Sequence, residues 1–560
     1  FERLVPEEDH GEANTEKDKK FDVLIGNNES IKVDVYRYDA NRLFADLCSS
    51  FELTDHSGAL NRVPLLDVRD LPLDYGLEIL ESVMKNTESL FLIYEDLQFL
   101  LRTKTVPFLL RCMSSSKSFP TVLRSYRCIK LLIKKEFLSI LELEMEVVLS
   151  LLIHSISADT DSPHWKKVLS LELFLDASHD FELLCDIFMS YDNYPDRKHI
   201  LTSLLREFLR LLASEDMQNC LCEAPIVKKM DMPIISSETF DNRTQFVHML
   251  DKTHPPSVTY TYIIWLILNI SNEWSNGLSL RALEVTETSE GKEVTEHYEN
   301  LRLFYNGIFQ DLYSINKMFL YSTSLDTPLF HSLIRAFQKL AHAAGILSMD
   351  ENLNKCLRLF SLSILMNETL GIEASKIDQP LQSAVLNPMN ESHKGSNAPE
   401  NTQPIKKQLL SRNINQRRIS LFRALISLSV SLGQALSPDS WTFVLRTWQW
   451  ISYYLYGPSA DFMEDFYLED VPRPPAIGKN EVISIENSIR RLLESTITYS
   501  DCGFRVLAER LIYESNQTIA IGSGSAVTAT DNDPTYPFNQ GVIQDCCYNK
   551  TFFITQLSEL

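Results

Sequence analysis

Apolar residues recur along most of this chain at the three- and four-residue intervals of an amphipathic helix. In LPLDYGLEILESVMKN, Leu73, Leu77, Leu80 and Met84 share one face, and Pro72 stands where a first helical turn tolerates proline. The same periodicity predicts helices near 92–102, 105–113, 120–135, 139–156, 164–177, 180–190 and 198–213. Their connections are short, as between antiparallel neighbours. Successive helices with broad apolar faces point to stacked pairs in the HEAT or armadillo manner, although no repeat of fixed period is legible. The expected fold is all-α, an elongated α-solenoid.

The pattern also divides the chain. Residues 1–35 read as a polar lead-in, 36–215 as a helical domain, and 216–257 as a Pro-containing linker. A second helical block covers 258–371, within which 278–297 reads as a loop or a helix with a solvated face. Residues 372–404 are rich in Asn, Ser, Pro and Gln and are expected to be a disordered linker. Helical blocks at 405–456 and 482–560 follow, separated by a loop at 457–481.

One break stands out. CDIFMSYDNYPDRKHIL (185–201) is helical at both ends and interrupted by Tyr191, Asp192, Asn193, Tyr194 and Pro195. Pro195 forbids helix continuation, and Asp196 is placed to cap the next helix. Two readings of the remaining residues stay open. The tyrosines pack over a corner that Asp192 helps to cap, or Tyr191–Tyr194 form a surface knuckle for a partner.

Composition sharpens the class. Only 17 of 560 residues are glycine, about 3% against a usual level of roughly 7%, which argues against a fold rich in hairpins. The formal charge of −22 repels phosphate backbones, so no nucleic-acid partner is expected. Ten cysteines show no framework spacing, and most sit in apolar runs, as buried thiols of a reducing compartment do. The opening FERLVPEEDHGEANTEKDKK has neither signal- nor transit-peptide character, and YTYIIWLILNI (260–270) is too short to span a bilayer. The chain is read as a soluble fragment of something longer.

Catalytic signatures are missing from the sequence: no phosphate-binding glycine loop, no H-E-x-x-H, no G-x-S-x-G. Cys220 with Cys222, and Cys546 with Cys547, lack a second pair at zinc spacing. Asp192, Asp196 and His199 lack the glycine turn and terminal glutamate of a calcium loop, so capping is the better reading. No enzyme, metal or cofactor is expected.

Three stretches carry a resemblance. DANRLFADLCSS (39–50) resembles the opening of the HUS domain of the large Arf guanine-nucleotide exchange factors, matching at Asp39, Ala40, Phe44, Leu47, Cys48 and Ser50. VLRSYRCIKLLIKKEFLSILELEMEVVLSLLI (122–153) is similar to that domain's central helix pair, with an acidic helix entry at Glu142, Glu144 and Glu146. The segment 165–194 ends where the HUS box stands; Tyr191 and Asp192 match it, while Ser190, Asn193 and Tyr194 depart. Those departures, and no stretch resembling the exchange domain after Leu212, resemble the Mon-two family of catalytically silent scaffolds. Residues 421–451 and the terminal KTFFITQLSEL are similar to its downstream helical repeats.

The resemblance implies a non-catalytic scaffold of Golgi–endosome traffic on the cytoplasmic face of trans-Golgi and endosomal membranes. Its implied partners are a Dopey-family protein, an Arf-like GTPase, a phospholipid flippase complex and the upstream N-terminal domain of its own chain; a homodimer stays open. The alternative is a cargo-binding solenoid of importin or coat-adaptor type, which an acidic helical superhelix would also suit. Two further surfaces attract attention. Residues 401–438 carry Lys406, Lys407, Arg412, Arg417, Arg418 and Arg423 and no acid, a segment suited to an anionic membrane or partner, or a solvated linker flank. Arg417-Arg418-Ile419-Ser420 also has a weak basophilic kinase pattern. SWTFVLRTWQWISYYLY (440–456) is aromatic on several faces, with Trp450, Tyr453 and Tyr454 apart from the main stripe, which signals burial on several sides or an interface.

Overall fold

The computed structural model describes residues 20–26, 29–50, 65–66, 71–158, 162–221, 235–287, 292–365, 415–456, 478–522 and 551–560. Among them helix dominates, and the fold is all-α in the helical-repeat manner, with helices packed chiefly on their near neighbours in sequence. The chain parts into two compact units, one of residues 1–220, 238–270 and 306–311, the other of 221–237, 271–305 and 312–560.

The first unit opens with a small hairpin, β1 (Phe21–Leu24) antiparallel to β2 (Ser30–Val33). The polar lead-in is thus partly ordered: Val23 and Val33 are buried, and Phe21 stacks on Tyr38 at 4.7 Å. Helices α1 (Val35–Ser50), α2 (Leu73–Asn86), α3 (Glu88–Ile93), α4 (Glu95–Leu100), α5 (Val106–Ser115) and α6 (Phe119–Leu132) follow. A π turn, Leu101–Thr105, joins α4 to α5. Then come α7 (Lys135–Leu138), α8 (Glu142–Ile156), α9 (His164–Ser178), α10 (Phe181–Ile187), α11 (Ile200–Ala213) and α12 (Glu215–Leu221). Helix α6 packs on α2, α5 and α9, and α8 packs on α9 and α11. Leu77, Leu80, Leu123, Ile129, Leu169 and Leu204 lie in this core.

Two fully buried carboxylates inside the unit are paired, as burial requires. Asp96 is fully buried and is met by the Arg37 guanidinium and by the Asn41 amide at 3.2 Å. Glu172 on α9 is also fully buried. Its oxygens accept from the N–H groups of Phe246 at 2.9 Å and Val247 at 3.0 Å, and from the Tyr262 hydroxyl at 2.8 Å. Part of the expected linker 216–257 is folded against this unit. After α13 (Ser237–Asp241), the 3-10 turn Phe246–His248 is pinned to α9, because Glu172 satisfies its free N–H groups.

A further part of that stretch, Ile235–Ser237, joins the second unit, and residues 222–234 lie outside the described residues. Ile235 forms a parallel bridge with Leu325, and Ser237 donates its N–H to Asp326 at 2.8 Å. The solvated-face reading of 278–297 holds in part, since α14 (Tyr260–Glu287) runs unbroken through its first half and α15 (Lys292–Leu320) begins in its second. Asp326 caps α16 (Thr327–Ile346) by accepting from Leu329 N–H at 2.9 Å. Helices α17 (Asp350–Leu365), α18 (Gln416–Leu432), α19 (Pro438–Tyr456), α20 (Lys479–Ser495), α21 (Asp501–Gly522) and α22 (Phe552–Glu559) complete the unit. The expected linker at 372–404 and nearly all of the loop at 457–481 lie outside the described residues.

The aromatic helix α19 is core. Trp441, Phe443, Val444, Trp448, Trp450 and Ile451 are all buried, and Trp448 meets Phe552 edge-on at 5.6 Å. Its Arg446 is fully buried and ion-paired with Glu514 on α21, to which Arg510 adds a second contact at 2.8 Å. The side chains of Tyr453 and Tyr454 lie outside the described ones.

Burial pushes the Glu172 carboxyl up from 4.5 to about 7, only partly offset by its three donors. The neutral form is therefore favoured in the fold. Its contribution to stability is fully present below the ordinary carboxylate value and is lost as pH rises through about 7. Glu172→Gln does not titrate. The stability difference between wild type and this variant should therefore shrink between about pH 5 and pH 8, by on the order of 2–3 kcal/mol. Chemical denaturation across that range checks it; a constant difference would show that Glu172 does not titrate there.

Candidate functional site: the Tyr191–Asp192 corner

Asp180 starts α10 by accepting from Leu183 N–H at 3.1 Å. The helix does not stop at Ile187 but widens into a π turn, Phe188–Asp192, closed by Asn193 N–H donating to Phe188 O at 3.0 Å. The extra residue in that turn carries Tyr191 and Asp192 inward. Phe188 itself packs tightly against Gly307, where an added Cβ would stand 2.6 Å from its ring.

Asp192 is the hub. One carboxylate oxygen accepts from the N–H groups of Ile200 and Leu201, each at 3.0 Å. The other accepts from the N–H and the hydroxyl of Thr202, also at 3.0 Å each. The first turn of α11 thus has three of its free donors met by one side chain from eight to ten residues upstream. Burial pushes the Asp192 carboxyl up, and these hydrogen bonds oppose that shift. His199 Nδ1 lies 2.9 Å from Asp192 O and closes the turn.

Asp196 does not cap this helix. It is exposed, and the donors of the first turn of α11 are filled by Asp192. Tyr191 is fully buried and donates its hydroxyl to Glu142 O at 2.7 Å; burial pushes its phenol up. The acidic entry of α8 clamps the corner from the other side. Glu142 pairs with the Arg197 guanidinium, and Glu146 accepts from Lys198 N–H at 3.2 Å. Arg197 also lies 5.5 Å over the Tyr194 ring. Of the four residues expected to meet a partner, Tyr191 and Asp192 point inside, whereas Asn193 and Tyr194, the latter 53% exposed, face outward. Sequence reasoning missed Glu142, Glu146, Arg197 and Thr202 as members of the corner. Only the acidic run at 142–146 was a signal.

Two cations of the basic stretch are engaged within the fold. Arg417 donates to Ser322 O at 2.7 Å and Thr323 O at 3.3 Å, and its guanidinium lies 4.6 Å over Phe330. It satisfies carbonyls just past the end of α15, a common task for a cation there. Arg418 is buried. These two are therefore taken into packing. Lys406 and Lys407 lie outside the described residues. Ser420 is half-buried, with its hydroxyl 3.1 Å from His331 Nε2. Of the candidate zinc cysteines, Cys220 is described and Cys222, Cys546 and Cys547 are not. Among the described residues no cluster suits a metal, and no helix is long and apolar enough to cross a membrane.

These geometries set the terms of a mutational test. Asp192→Ala leaves buried N–H groups unpaired and should destabilise the chain by about 1–3 kcal/mol. Asp196→Ala and Tyr194→Ala should each stay within roughly 0.5 kcal/mol, as exposed positions do. Equilibrium urea unfolding reads all three. An undisturbed Asp192→Ala midpoint would deny the carboxylate its role in holding α11.

The corner lies within the stretch that matches a known family. The model described as "Mon2/Sec7/BIG1-like, HUS domain" covers residues 36–200. Protein MON2 of Saccharomyces cerevisiae is 46% identical over 97% of this chain and 34% of its own length. The Protein MON2 homolog of Schizosaccharomyces pombe is 23% identical over 47% of the chain and 17% of its own. The human homolog is 28% identical over 38% of the chain and 13% of its own. This chain thus spans about a third or less of the length of the relatives it matches. Over that span, with a HUS domain built around the Asp192 corner, the chain belongs to the MON2 family.

Proposed function

We propose that this protein is a non-catalytic scaffold of Golgi–endosome vesicle traffic, acting peripherally on the cytoplasmic face of trans-Golgi and endosomal membranes. The observation that carries the reading is the HUS-domain match across 36–200, supported by the identity with Protein MON2 along nearly the whole chain. A stack of helices offers long side-chain surfaces at fixed spacing, which suits holding partners rather than transforming them. The proposed partners are a Dopey-family protein, an Arf-like GTPase, a phospholipid flippase complex and the N-terminal part of a longer chain.

Within that reading the corner works as a pedestal. Tyr191 and Asp192 hold it rigid from inside, and Asn193 with Tyr194 offer the contact. A tyrosine ring presented on a locked turn loses little conformational freedom on binding.

Two measurements test this. Mixed with Arf-family GTPases, the chain should leave the rate of nucleotide release unchanged; acceleration would overturn the non-catalytic reading. Tyr194→Ala should keep the wild-type melt and bind a Dopey-family protein or the upstream domain roughly tenfold more weakly, equivalent to ~1.4 kcal/mol. Unchanged capture of both by the variant would remove the corner from the interface.

A further inference from the structure

The second unit holds a basic groove that the corner does not involve. Two adjoining hollows, of about 930 Å³ and 420 Å³, run along α16 and α18 and reach α20. They share His331, Arg335, Gln338 and Ser427. Lys339 lines only the first hollow, Arg423 and Arg491 only the second. No aspartate or glutamate is among the lining residues of either.

In a chain of net charge −22 this is an unusual concentration of one sign. Most of the buried or half-buried cations described above are spent internally: Arg37 on Asp96, Arg446 on Glu514, and Arg417 on backbone carbonyls. Arg335, Lys339, Arg423 and Arg491 have no ion pair among the described residues, and Arg335, Arg423 and Arg491 are exposed. Like charges brought together without counter-charges raise the energy of the free protein, so an anion entering the groove is attracted and relieves that repulsion.

We propose that this groove binds an extended acidic peptide segment of a partner protein. The layout favours that ligand over a compact anion. The cations come from three helices and are distributed along two hollows, which calls for negative charges spaced along a chain rather than gathered on one phosphate. Gln338 and Ser427 line both hollows with the cations; the Gln338 amide donates to the Ser427 hydroxyl at 3.1 Å, and their remaining donors and acceptors can pair with peptide carbonyls and N–H groups. An anionic bilayer is the poorer fit. The cations line a hollow between helices, which a flat array of headgroups meets less fully than an extended chain does.

The test uses the whole 560-residue chain and a fluorescein-labelled twelve-residue peptide of alternating glutamate and serine, followed by fluorescence anisotropy. Saturable binding that weakens with added salt is expected, and the peptide with glutamine for glutamate should not bind. The triple variant Arg335→Glu, Arg423→Glu, Arg491→Glu should bind at least tenfold more weakly while keeping wild-type helicity and melt. Lys198→Glu, in the other unit, should change binding less than twofold. Parallel arms use phosphatidylserine vesicles and inositol hexakisphosphate. Binding of either probe by a chain that ignores the acidic peptide overturns the proposal, as does equal peptide binding by wild type and the triple variant. Loss of binding in Lys198→Glu equal to that in the triple variant overturns it as well, since attraction would then be diffuse.

Discussion

The Asp192 carboxylate decides how two helices of the HUS region meet. A carboxylate offers about four acceptor positions. Here three go to the N–H groups of Ile200, Leu201 and Thr202 and one to the Thr202 hydroxyl. The side chain can reach them only because the preceding helix ends in a π turn, which rotates Tyr191 and Asp192 toward the core. Tyr191 then ties the same turn to the start of α8. These hydrogen bonds fix where α11 starts, and its buried apolar face, with Leu204, Leu205 and Phe208, supplies the packing. Little acceptor capacity remains on Asp192 for any partner.

Burial separates four residues of the stretch that resembles the HUS box, while Ser190, which also departs from it, is half-buried. Tyr191 and Asp192, which match it, are inside, and Asn193 and Tyr194, which depart from it, are outside. A side chain enclosed by fixed donors and packed neighbours has few substitutes, whereas an exposed one is answerable only to whatever docks on it. The architecture of the corner therefore does not depend on what its outward face carries.

The same use of charge recurs through the chain. Glu172 pins a 3-10 turn to α9, Asp326 caps α16 and receives Ser237, and Glu514 holds the buried Arg446. Acidic side chains thus serve as acceptors for backbone groups and as counter-ions inside the fold. Their net charge says little by itself about what the surface binds. The exception is the groove along α16 and α18, where cations are left without acids.

Helix content, and the approximate spans of most helices between residues 73 and 213, were legible from the sequence alone, because burying one stripe of an α-helix imposes a 3.6-residue period that the leucine-rich runs display. The aromatics of α19 at nearly every phase left burial on several sides or an interface open, and the structure buries Trp441, Trp448 and Trp450. The HUS resemblance was readable at 39–50 and at Tyr191–Asp192. Other features depended on residues far apart in sequence. Asp196 has the local position of a helix cap, yet Asp192 takes the role, because a π turn cannot be seen in hydrophobic periodicity. Arg417 and Arg418 read as part of a basic surface, but carbonyls of 322–325, Phe330 and the surrounding core take them in. The groove joins Arg335, Arg423 and Arg491, each unremarkable in its own helix. Periodicity records which face of a helix is buried, and only tertiary packing decides which charges from different helices meet and which find a partner.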